Sequence, residues 1–205
     1  MTAQQSGGMK ATVWKDFLPI EVMSGLLDFV AATESKFESS SVGFADRGFV
    51  VDPTRRISLV SSDFGPFHEA LGKRMMSLAP AMIRALGLPP FLPALVELEL
   101  AAHGDGAFFA RHTDAQTARS DGLERLLSGV YYFNREPKAF TGGALRLYPP
   151  RPAASGVPFA DVPPERNSCV FFPASMPHEV MPVSCPSGQF MDSRFAINLW
   201  FVGRV

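Results

Sequence analysis

Three side chains with metal-binding chemistry stand out in the sequence: His112 and Asp114, which flank Thr113, and a distant His178. In an extended strand, residues two positions apart point to the same side, so His112 and Asp114 can face one cavity while Thr113 faces away. Two imidazoles and one carboxylate on one face of an octahedral metal leave three positions open, which is typical of Fe(II) centres that bind a cosubstrate and dioxygen. The pattern therefore predicts an open iron site.

The surroundings of His178 favour a ligand position over an ordinary core histidine. A His-x-Asp pair occurs by chance in many chains, and a single histidine in apolar sequence is usually a hydrogen-bonded core residue. The apolar run 170–180 is interrupted by Pro173 and Pro177 and then resumes, which is typical of two strands joined by a short loop. We therefore expect His178 to open the second of these strands.

A positively charged side chain, Arg194, follows His178 in the sequence. In the segment 194–201, Arg194 shares one face of a predicted strand with Ala196, Asn198 and Trp200, while the other positions are strongly apolar. A guanidinium matches a carboxylate in bidentate geometry and stays charged at any working pH. Arg194 is therefore expected to bind the distal carboxylate of a dicarboxylate cosubstrate near the metal.

Length and composition limit the other possibilities. A chain of 205 residues with 46% hydrophobic residues can bury a substantial core, and we expect residues 1–205 to form one domain. With 19 basic and 20 acidic residues the net charge is −1, so no overall positive field recruits nucleic acid. Cys169 and Cys185 lack Cys-x-x-Cys spacing and indicate neither a zinc knuckle nor a disulfide framework, which favours the cytoplasm. No apolar run approaches the ~20 residues that span a bilayer, so no membrane partner is expected.

The pattern of apolar residues divides the chain into three parts. Residues 1–10 are polar and are expected to be disordered, and residues 11–91 are expected to form a helical support region with one helix after Asp16 and another after Pro66. From residue 92 to 205 short apolar or alternating runs separated by Gly, Pro and Asp predict a β core of about eight strands. These strands are expected near 94–102, 107–114, 126–134, 143–148, 157–162, 168–173, 178–183 and 193–202. The polar segment Ala115–Glu124 is expected to form a loop that closes over a substrate.

Five separated segments between Phe109 and Phe201 resemble the catalytic core of the 2-oxoglutarate and Fe(II)-dependent prolyl hydroxylases. The likeness is greatest to the hypoxia-inducible-factor type and their bacterial relatives. The segments occur in family order and at near-family spacing: Arg111–Asp114, Tyr131–Asn134, Gly142–Pro149, Pro177–Val180 and Arg194–Trp200.

The resemblance implies a mainly β fold, a double-stranded β-helix of the jelly-roll or cupin type, with N-terminal α-helices supporting one sheet. By position, the family's iron ligands correspond to His112, Asp114 and His178, and its carboxylate-binding basic residue to Arg194. Tyr132 corresponds to a tyrosine that hydrogen-bonds the same carboxylate. The resemblance also implies a cofactor-binding role for three further residues: Leu145, Asn198 and Trp200.

The resemblance further implies the reaction and its partners. Fe²⁺ would be the metal, 2-oxoglutarate and O₂ the cosubstrates, and ascorbate a reductant; 2-oxoglutarate is decarboxylated to succinate and CO₂ while a C–H bond is hydroxylated. The implied substrate is a prolyl residue in a protein or peptide, such as a component of the translation machinery. Halogenases of this fold lack the carboxylate, so Asp114 favours a hydroxylase.

Two other functions remain open at this point. A hydroxylase of a free amino acid or a metabolite would keep the same triad and arginine but enclose its substrate in a closed pocket, whereas an open groove beside the metal would favour a protein substrate. A non-catalytic jelly-roll sensor or binding module would tolerate the loss of a ligand. Because all three ligands are present, the last alternative is the weakest.

Two positions depart from the family pattern. Phe109 stands where the family usually has tyrosine, and Ala102 aligns with a tyrosine that contacts the cosubstrate in the animal enzymes. A hydrogen bond of this kind contributes about 1 kcal/mol net, so these changes are expected to alter cosubstrate affinity without loss of mechanism. The neighbouring His103 could replace a missing hydroxyl, but it is expected to be an exposed loop residue.

Overall fold

Two β-sheets dominate the computed structural model, which describes residues 2–5, 10–44, 46, 48–115, 122–149 and 159–204. The described strands are β1 (Thr2–Gln5), β2 (Thr12–Lys15), β3 (Glu38–Ser39), β4 (Val42–Phe44), β5 (Gly48–Val50), β6 (Arg56–Ile57), β7 (Leu59–Ser61), β8 (Leu95–His103), β9 (Phe108–His112), β10 (Glu124–Phe133), β11 (Thr141–Gly142), β12 (Leu145–Leu147), β13 (Ala160–Val162), β14 (Ser168–Pro173), β15 (His178–Val180), β16 (Val183–Ser184) and β17 (Arg194–Gly203). The described helices are α1 (Ile20–Ala32) and α2 (His68–Ala85), with short 3₁₀ turns at Glu34–Lys36, Gly65–Phe67 and Phe190–Asp192.

The order of the strands defines a major and a minor sheet. The major sheet has the order β1-β2-β14-β10-β17-β8-β7-β3, and the minor sheet has the order β13-β12-β15-β9-β6. Side chains from both sheets form one buried cluster between them, which includes Tyr132, Ala196 and Phe172 from the major sheet and Leu145 and Leu147 from the minor sheet. The fold is a double-stranded β-helix, and the predicted fold class is confirmed.

Strict alternation in the central strands separates two environments. Along β17, Phe195, Ile197 and Leu199 belong to the core beneath the helices, whereas Arg194 and Asn198 line a cavity on the opposite face. Successive residues of a strand point to opposite sides, so a single strand supplies both the core and the cavity wall. The eight strands expected between residues 94 and 202 are all present, although the expected strand 157–162 is described only from Ala160.

The two helices cover the outer face of the major sheet with their apolar stripes. Met23, Leu26 and Val30 of α1 join Met75 and Met82 of α2 in the core beneath the sheet. Neither described helix is long and apolar enough to cross a lipid bilayer.

The expected support region at 11–91 contains both expected helices, α1 and α2, but it is not helical throughout. This part also contributes strands: β2 pairs with β14, β7 pairs with β8, and β6 pairs with β9. The segments are only two to four residues long, which is too short for alternation to be recognised, and their pairing depends on sheet edges that form elsewhere in the chain.

The N-terminus also differs from the expected disorder of residues 1–10. Thr2–Gln5 forms β1 and pairs with Thr12–Lys15 in antiparallel register. A ladder uses backbone N–H and C=O groups, so a polar segment can extend an available edge without contributing apolar side chains. The greater part of the expected substrate-closing loop, residues 116–121, lies outside the described residues.

Candidate functional site

The three predicted metal ligands meet at the junction of two paired strands. β9 ends at His112 and β15 begins at His178, and the register of the pair places these two residues opposite each other. Asp114 follows β9 and is anchored by its backbone N–H, which donates to the carbonyl of Ala174 over 2.9 Å. The Nε2 atoms of His112 and His178 lie 3.7 and 3.6 Å from the two carboxylate oxygens of Asp114. All three ligand atoms therefore lie within 4.8 Å of one another.

Backbone carbonyls hold both imidazoles in the orientation that metal binding requires. Nδ1 of His112 lies 2.8 Å from the carbonyl oxygen of Ala110, and Nδ1 of His178 lies 2.9 Å from that of Met176. A carbonyl only accepts, so each Nδ1 carries the proton and each Nε2 presents a lone pair. The ring of Phe109 stacks on His112 with 3.6 Å between ring centroids, which further restricts rotation of this imidazole.

The carboxylate of Asp114 is held by two side chains. The hydroxyl of Ser128 donates to Oδ2 over 2.6 Å, and the indole of Trp200 also donates to the carboxylate. Burial by itself raises the pKa of Asp114, but the nearby histidines and these two hydrogen bonds together lower it below the ordinary value. Asp114 is therefore ionised at neutral pH.

Burial lowers the pKa of the neighbouring imidazole, because it disfavours the charged form of a base. Burial first, and then the nearby His178, lower the pKa of His112 to about 3. Metal ligands must be deprotonated, so a neutral His112 beside an ionised Asp114 is ready to bind a cation. Two imidazole nitrogens and one carboxylate form the donor set of non-haem Fe(II) centres with open positions, and these residues could hold that ion.

Arg194, at the start of β17, is a buried cation whose charge no described carboxylate neutralises. Its side chain is 1% exposed, and its Nε and Nη2 atoms, both buried, have no hydrogen-bond partner among the described residues. The buried hydroxyl of Tyr132 lies beside this guanidinium and has no close hydrogen-bond partner elsewhere among the described residues; the ring centroid of Tyr132 is 4.8 Å from the guanidinium carbon of Arg194. Buried donors without partners are costly, so the cluster is built to receive an anion.

The geometry of these donors fits a carboxylate. Nε and Nη2 lie on the same edge of the planar guanidinium, which is the edge that binds a carboxylate through two parallel hydrogen bonds. Burial raises the pKa of Tyr132 to about 12, although the nearby Arg194 opposes this effect, so the phenol remains a neutral donor. Arg194 and Tyr132 together can therefore offer three hydrogen-bond donors to a carboxylate.

The Gly142-Gly143 pair makes room for this arginine. Gly143 has a positive φ of +68°, and a Cβ built on it would lie 2.5 Å from Cδ of Arg194 and 2.8 Å from Cγ2 of Val183. Those distances are far below van der Waals contact, so only glycine allows the chain to pass beside the extended arginine. Leu145, two residues later, is buried and lines the same cavity.

The structure also places Asn198 and Trp200 in the cavity wall, but each contacts a protein partner. Nδ2 of Asn198 donates to Oε1 of Glu99 over 3.0 Å, and Nη2 of Arg56 donates to the same oxygen over 2.7 Å. Trp200 donates to Asp114, and the guanidinium carbon of Arg125 lies 3.8 Å from the centre of its ring system. The hydrogen bonds to Glu99 hold Asn198 and Arg56 in the cavity wall, and the hydrogen bond from Trp200 holds the carboxylate of Asp114.

Sequence reasoning missed Arg56, Glu99 and Ser128. Alternation could have found two of them, because Glu99 lies opposite Asn198 and Ser128 lies opposite Trp200 in the sheet register. Arg56 lies in a strand of two residues, where no periodic signal exists.

The expectations for Ala102 and His103 are wrong. Ala102 faces the hydrophobic core beneath the helices, so it does not occupy a cosubstrate-contacting position. His103 is buried at the end of β8 and lines the cavity, with its Nδ1 3.3 Å from Nη1 of Arg194. The two residues point to opposite sides of one strand. An alignment error of one position therefore assigns a core residue to a position that faces the cavity.

A model of the 2OG-Fe(II) oxygenase superfamily matches residues 98–202, which is more than half of the chain and includes every metal-ligand candidate. The chain belongs to this superfamily. Its members use Fe(II), 2-oxoglutarate and O₂, and the donor set and the unpartnered buried donors described above fit the first two. The oxygenase resembles the prolyl hydroxylases, as its sequence segments indicated.

Three relatives define that resemblance. A Synechocystis protein described as an uncharacterised PKHD-type hydroxylase is 39% identical over 146 residues, which cover 69% of this chain but only 48% of the relative, so the chain spans about half of that relative's length. The crystal structure of a Pseudomonas putida prolyl-4-hydroxylase superposes with a TM-score of 0.66 at 25% identity, covering 97% of this chain and 94% of the other. A Trichoplax adhaerens prolyl hydroxylase in complex with a hypoxia-inducible-factor peptide fragment also has a TM-score of 0.66, at 23% identity over 95% and 84% of the two chains, and supports the shared fold.

Proposed function

We propose that this oxygenase hydroxylates a prolyl residue in a protein or peptide. When bound, Fe(II) and 2-oxoglutarate supply the oxidising power: dioxygen converts 2-oxoglutarate to succinate and CO₂, and one oxygen atom is inserted into a C–H bond of the substrate. The chain's own residues bind and orient the reactants. The proposal assigns metal binding to His112, Asp114 and His178.

Each proposed ligand has a defined donor atom. His112 and His178 present Nε2 because the carbonyls of Ala110 and Met176 accept from Nδ1. Asp114 presents a carboxylate that Ser128 keeps in place through its 2.6 Å hydrogen bond. Partners of this kind commonly change metal affinity 10- to 100-fold, as a rough guide, when they are removed.

Arg194 and Tyr132 would bind the distal carboxylate of 2-oxoglutarate. A carboxylate has enough lone pairs to accept from Nε, Nη2 and the phenol hydroxyl together, so one ligand group would satisfy all three buried donors. Arg194, which is 1% exposed, lines the same cavity as His112 and His178. The remaining part of the dicarboxylate can therefore extend from the arginine towards the metal ligands.

The observation that carries the choice of proline is the apolar wall beside the metal-ligand candidates. Phe109, Val180 and Trp200 line the cavity together with His112 and His178. A pyrrolidine ring is uncharged and compact, and it gains free energy from burial against aromatic and aliphatic surface. The Pseudomonas putida relative, a prolyl-4-hydroxylase of the same fold, supports this assignment.

A groove next to the cavity favours a polypeptide over a small molecule. Arg56 lines both the cavity and the groove, so the two are adjacent. The groove is also lined by Val51, Ile57 and Leu59, which are 59%, 42% and 39% exposed. Exposed apolar side chains beside a reaction site are suited to contact residues that flank a target proline, whereas a free amino acid would leave them in water. The Trichoplax adhaerens relative, which binds a peptide fragment, is consistent with this view.

The proposal is tested by mass spectrometry of a proline-containing peptide library incubated with the oxygenase, Fe(II), 2-oxoglutarate, ascorbate and isotope-labelled dioxygen. We expect labelled oxygen on prolyl residues, and none with His178→Ala. The matched control is Lys73→Ala, because Lys73 lies on the exposed face of α2 and, among the described residues, forms an ion pair with Glu69 alone. Free amino acids are assayed in parallel. Hydroxylation of free amino acids, together with a failure to hydroxylate any peptide of the library, would overturn the protein-substrate assignment.

A further inference from the structure

The groove next to the metal-ligand cavity combines exposed apolar surface with negative charge. Its volume is about 370 Å³, which lies in the range of ligand-binding clefts. Two exposed acidic residues line it among the described residues, Glu34 and Asp105. The whole chain carries a net charge of only −1, so these two carboxylates are a local feature of the groove rather than part of a generally acidic surface.

No cation of the described residues neutralises either carboxylate. The side chain of Glu34, in the 3₁₀ turn that follows α1, forms no ion pair or hydrogen bond within the described part of the chain. Oδ1 of Asp105, in the turn between β8 and β9, accepts from the backbone N–H of Cys185 over 2.7 Å, which fixes the carboxylate in place but leaves its charge. Glu34 and Asp105 therefore present two negative charges to whatever occupies the groove.

The positive charge in the groove wall is already compensated. Among the residues that the structure describes, Arg56 is the one basic side chain that lines the groove, and it is 8% exposed. Its Nη2 donates to Oε1 of Glu99 over 2.7 Å, and its Nε donates to the hydroxyl of Ser58 over 3.0 Å. A guanidinium held in this way by a carboxylate has little attraction left for an acidic ligand, so the groove remains negative towards a charged side chain that enters it.

This combination of surfaces matches the side chains of lysine and arginine. Val51, Ile57 and Leu59 provide exposed apolar atoms in the same groove as the two carboxylates. Lysine and arginine have a long apolar stem, which can cover such atoms, and a cationic head, which can reach a carboxylate. An acidic side chain would be repelled, and an apolar one would take water from the carboxylates without replacing its hydrogen bonds.

We propose that the groove selects lysine or arginine residues that flank the target proline, with Glu34 and Asp105 as the specificity-determining residues. This inference rests on the proposed hydroxylation of a prolyl residue in a polypeptide, but it concerns the residues around that proline, on which the assigned metal and carboxylate sites have no bearing. An exposed ion pair contributes about 0.2–1 kcal/mol, so each carboxylate should change peptide affinity by up to about 5-fold.

Methyl NMR of the Zn(II)-loaded protein with 2-oxoglutarate added observes the groove directly, because Val51, Ile57 and Leu59 carry methyl groups there. Zn(II) is redox-inert, so a peptide binds without being oxidised. The probe is a short end-capped peptide with one proline flanked by lysine and leucine, and it is compared with the same peptide carrying acetyl-lysine or glutamate in place of lysine.

We expect the lysine peptide to shift these methyl signals and to bind about 10-fold or more tightly than the glutamate peptide, with the acetyl-lysine peptide between them. The difference should shrink in about 1 M salt, because exposed charges are then screened. Equal affinities of the lysine and glutamate peptides, or groove methyl signals that no peptide shifts, overturn the inference.

Two variants remove the charges while keeping the shapes of the side chains. Glu34→Gln and Asp105→Asn should each weaken binding of the lysine peptide by up to about 5-fold and leave binding of the acetyl-lysine peptide unchanged, and Asp105→Asn keeps an oxygen that can accept from Cys185. The matched control is Glu21→Gln, which removes an acidic residue of α1 that does not line the groove. A double variant of Glu34 and Asp105 that binds the lysine peptide as tightly as wild type overturns the inference.

Hydroxylation of the peptide library separates this inference from the proposed function. Among the hydroxylated peptides, those with lysine or arginine beside the proline should predominate for wild type, and the double variant should lose this preference. Hydroxylated peptides without such a preference overturn the inference alone. If no prolyl residue is hydroxylated but the lysine peptide still shifts the groove methyl signals, the proposed function fails and the assignment of the groove to basic segments is retained.

Discussion

Replacing Arg194 with methionine should make the ligand-free oxygenase more stable. Arg194 is fully buried with two donors that have no close partner among the described residues, and its guanidinium contacts only neutral groups there, His103 at 3.3 Å and Tyr132. Replacing buried ionic groups by apolar residues of similar volume often stabilises a protein by about 1–4 kcal/mol. Methionine fills similar space with flexible apolar atoms. Because the contact with His103 is lost as well, we expect a gain of about 2 kcal/mol, or a Tm rise of about 4–8 °C for a chain of this size.

Saturating 2-oxoglutarate should reverse the order of stability. A ligand present at 100 times its Kd stabilises the folded state by about 2.7 kcal/mol, which exceeds the expected gain from Arg194→Met. Wild type should bind and receive this stabilisation, whereas the methionine variant lacks the donors that hold the distal carboxylate. With Zn(II) and 2-oxoglutarate present, wild type should therefore be the more stable protein.

The assay is equilibrium unfolding in urea, with and without 2-oxoglutarate, for wild type and Arg194→Met. Arg194→Lys is the matched control, since it keeps the buried charge but loses the planar edge, and it should be less stable than Arg194→Met in both conditions. A ligand-free Arg194→Met that is less stable than wild type would refute the reasoning, because it would show that the protein itself compensates the buried cation.

Three further predictions follow from the same contacts. Gly143→Ala should weaken 2-oxoglutarate binding in calorimetry without changing Zn(II) affinity, because the new Cβ would lie 2.5 Å from Cδ of Arg194; equal 2-oxoglutarate affinity would contradict the role assigned to this glycine. Trp200→Phe should weaken metal binding by about 10-fold or more, since Asp114 loses the indole donor, and a metal titration that gives the wild-type constant would count against that role. Because the folded-state pKa of His103 is depressed, the unfolded chain binds more protons below pH ~6.5, so metal-free stability should fall with decreasing pH by up to about 1.4 kcal/mol per unit from this group. Urea unfolding between pH 7 and pH 5 should show a shallower slope for His103→Asn, and identical slopes would exclude His103 as the source.

The β core and the metal-ligand cluster could be predicted because their signals are local. Alternation along 194–201 identifies the face that carries Arg194, and the His-x-Asp spacing of His112 and Asp114 requires only that β9 be extended. In the structure the ligand atoms of His112, Asp114 and His178 lie within 4.8 Å of one another, and Arg194 lines the same cavity. The assigned roles of these residues remain predictions that the experiments above test.

The errors arose where structure depends on distant partners. Three strands of residues 11–91, β2, β6 and β7, pair with edges supplied by β14, β9 and β8, so no short window of sequence contains the reason for their formation. His103 was misread because composition around Gly104 and Asp105 favours a loop, whereas β8 continues through His103 to face Arg194. A shift of one residue in a strand changes which side chain enters the cavity.

The most direct test of the central claim is the formation of succinate from 2-oxoglutarate by the Fe(II)-loaded oxygenase in the presence of dioxygen, after anaerobic binding of both has been measured. Wild type should bind Fe(II) and 2-oxoglutarate and release succinate; His178→Ala should lose Fe(II) binding, and Arg194→Met should keep Fe(II) but lose 2-oxoglutarate. Wild-type protein that binds Fe(II) but neither binds nor consumes 2-oxoglutarate would contradict the account, because the buried donors of Arg194 and Tyr132 would then have no ligand to receive.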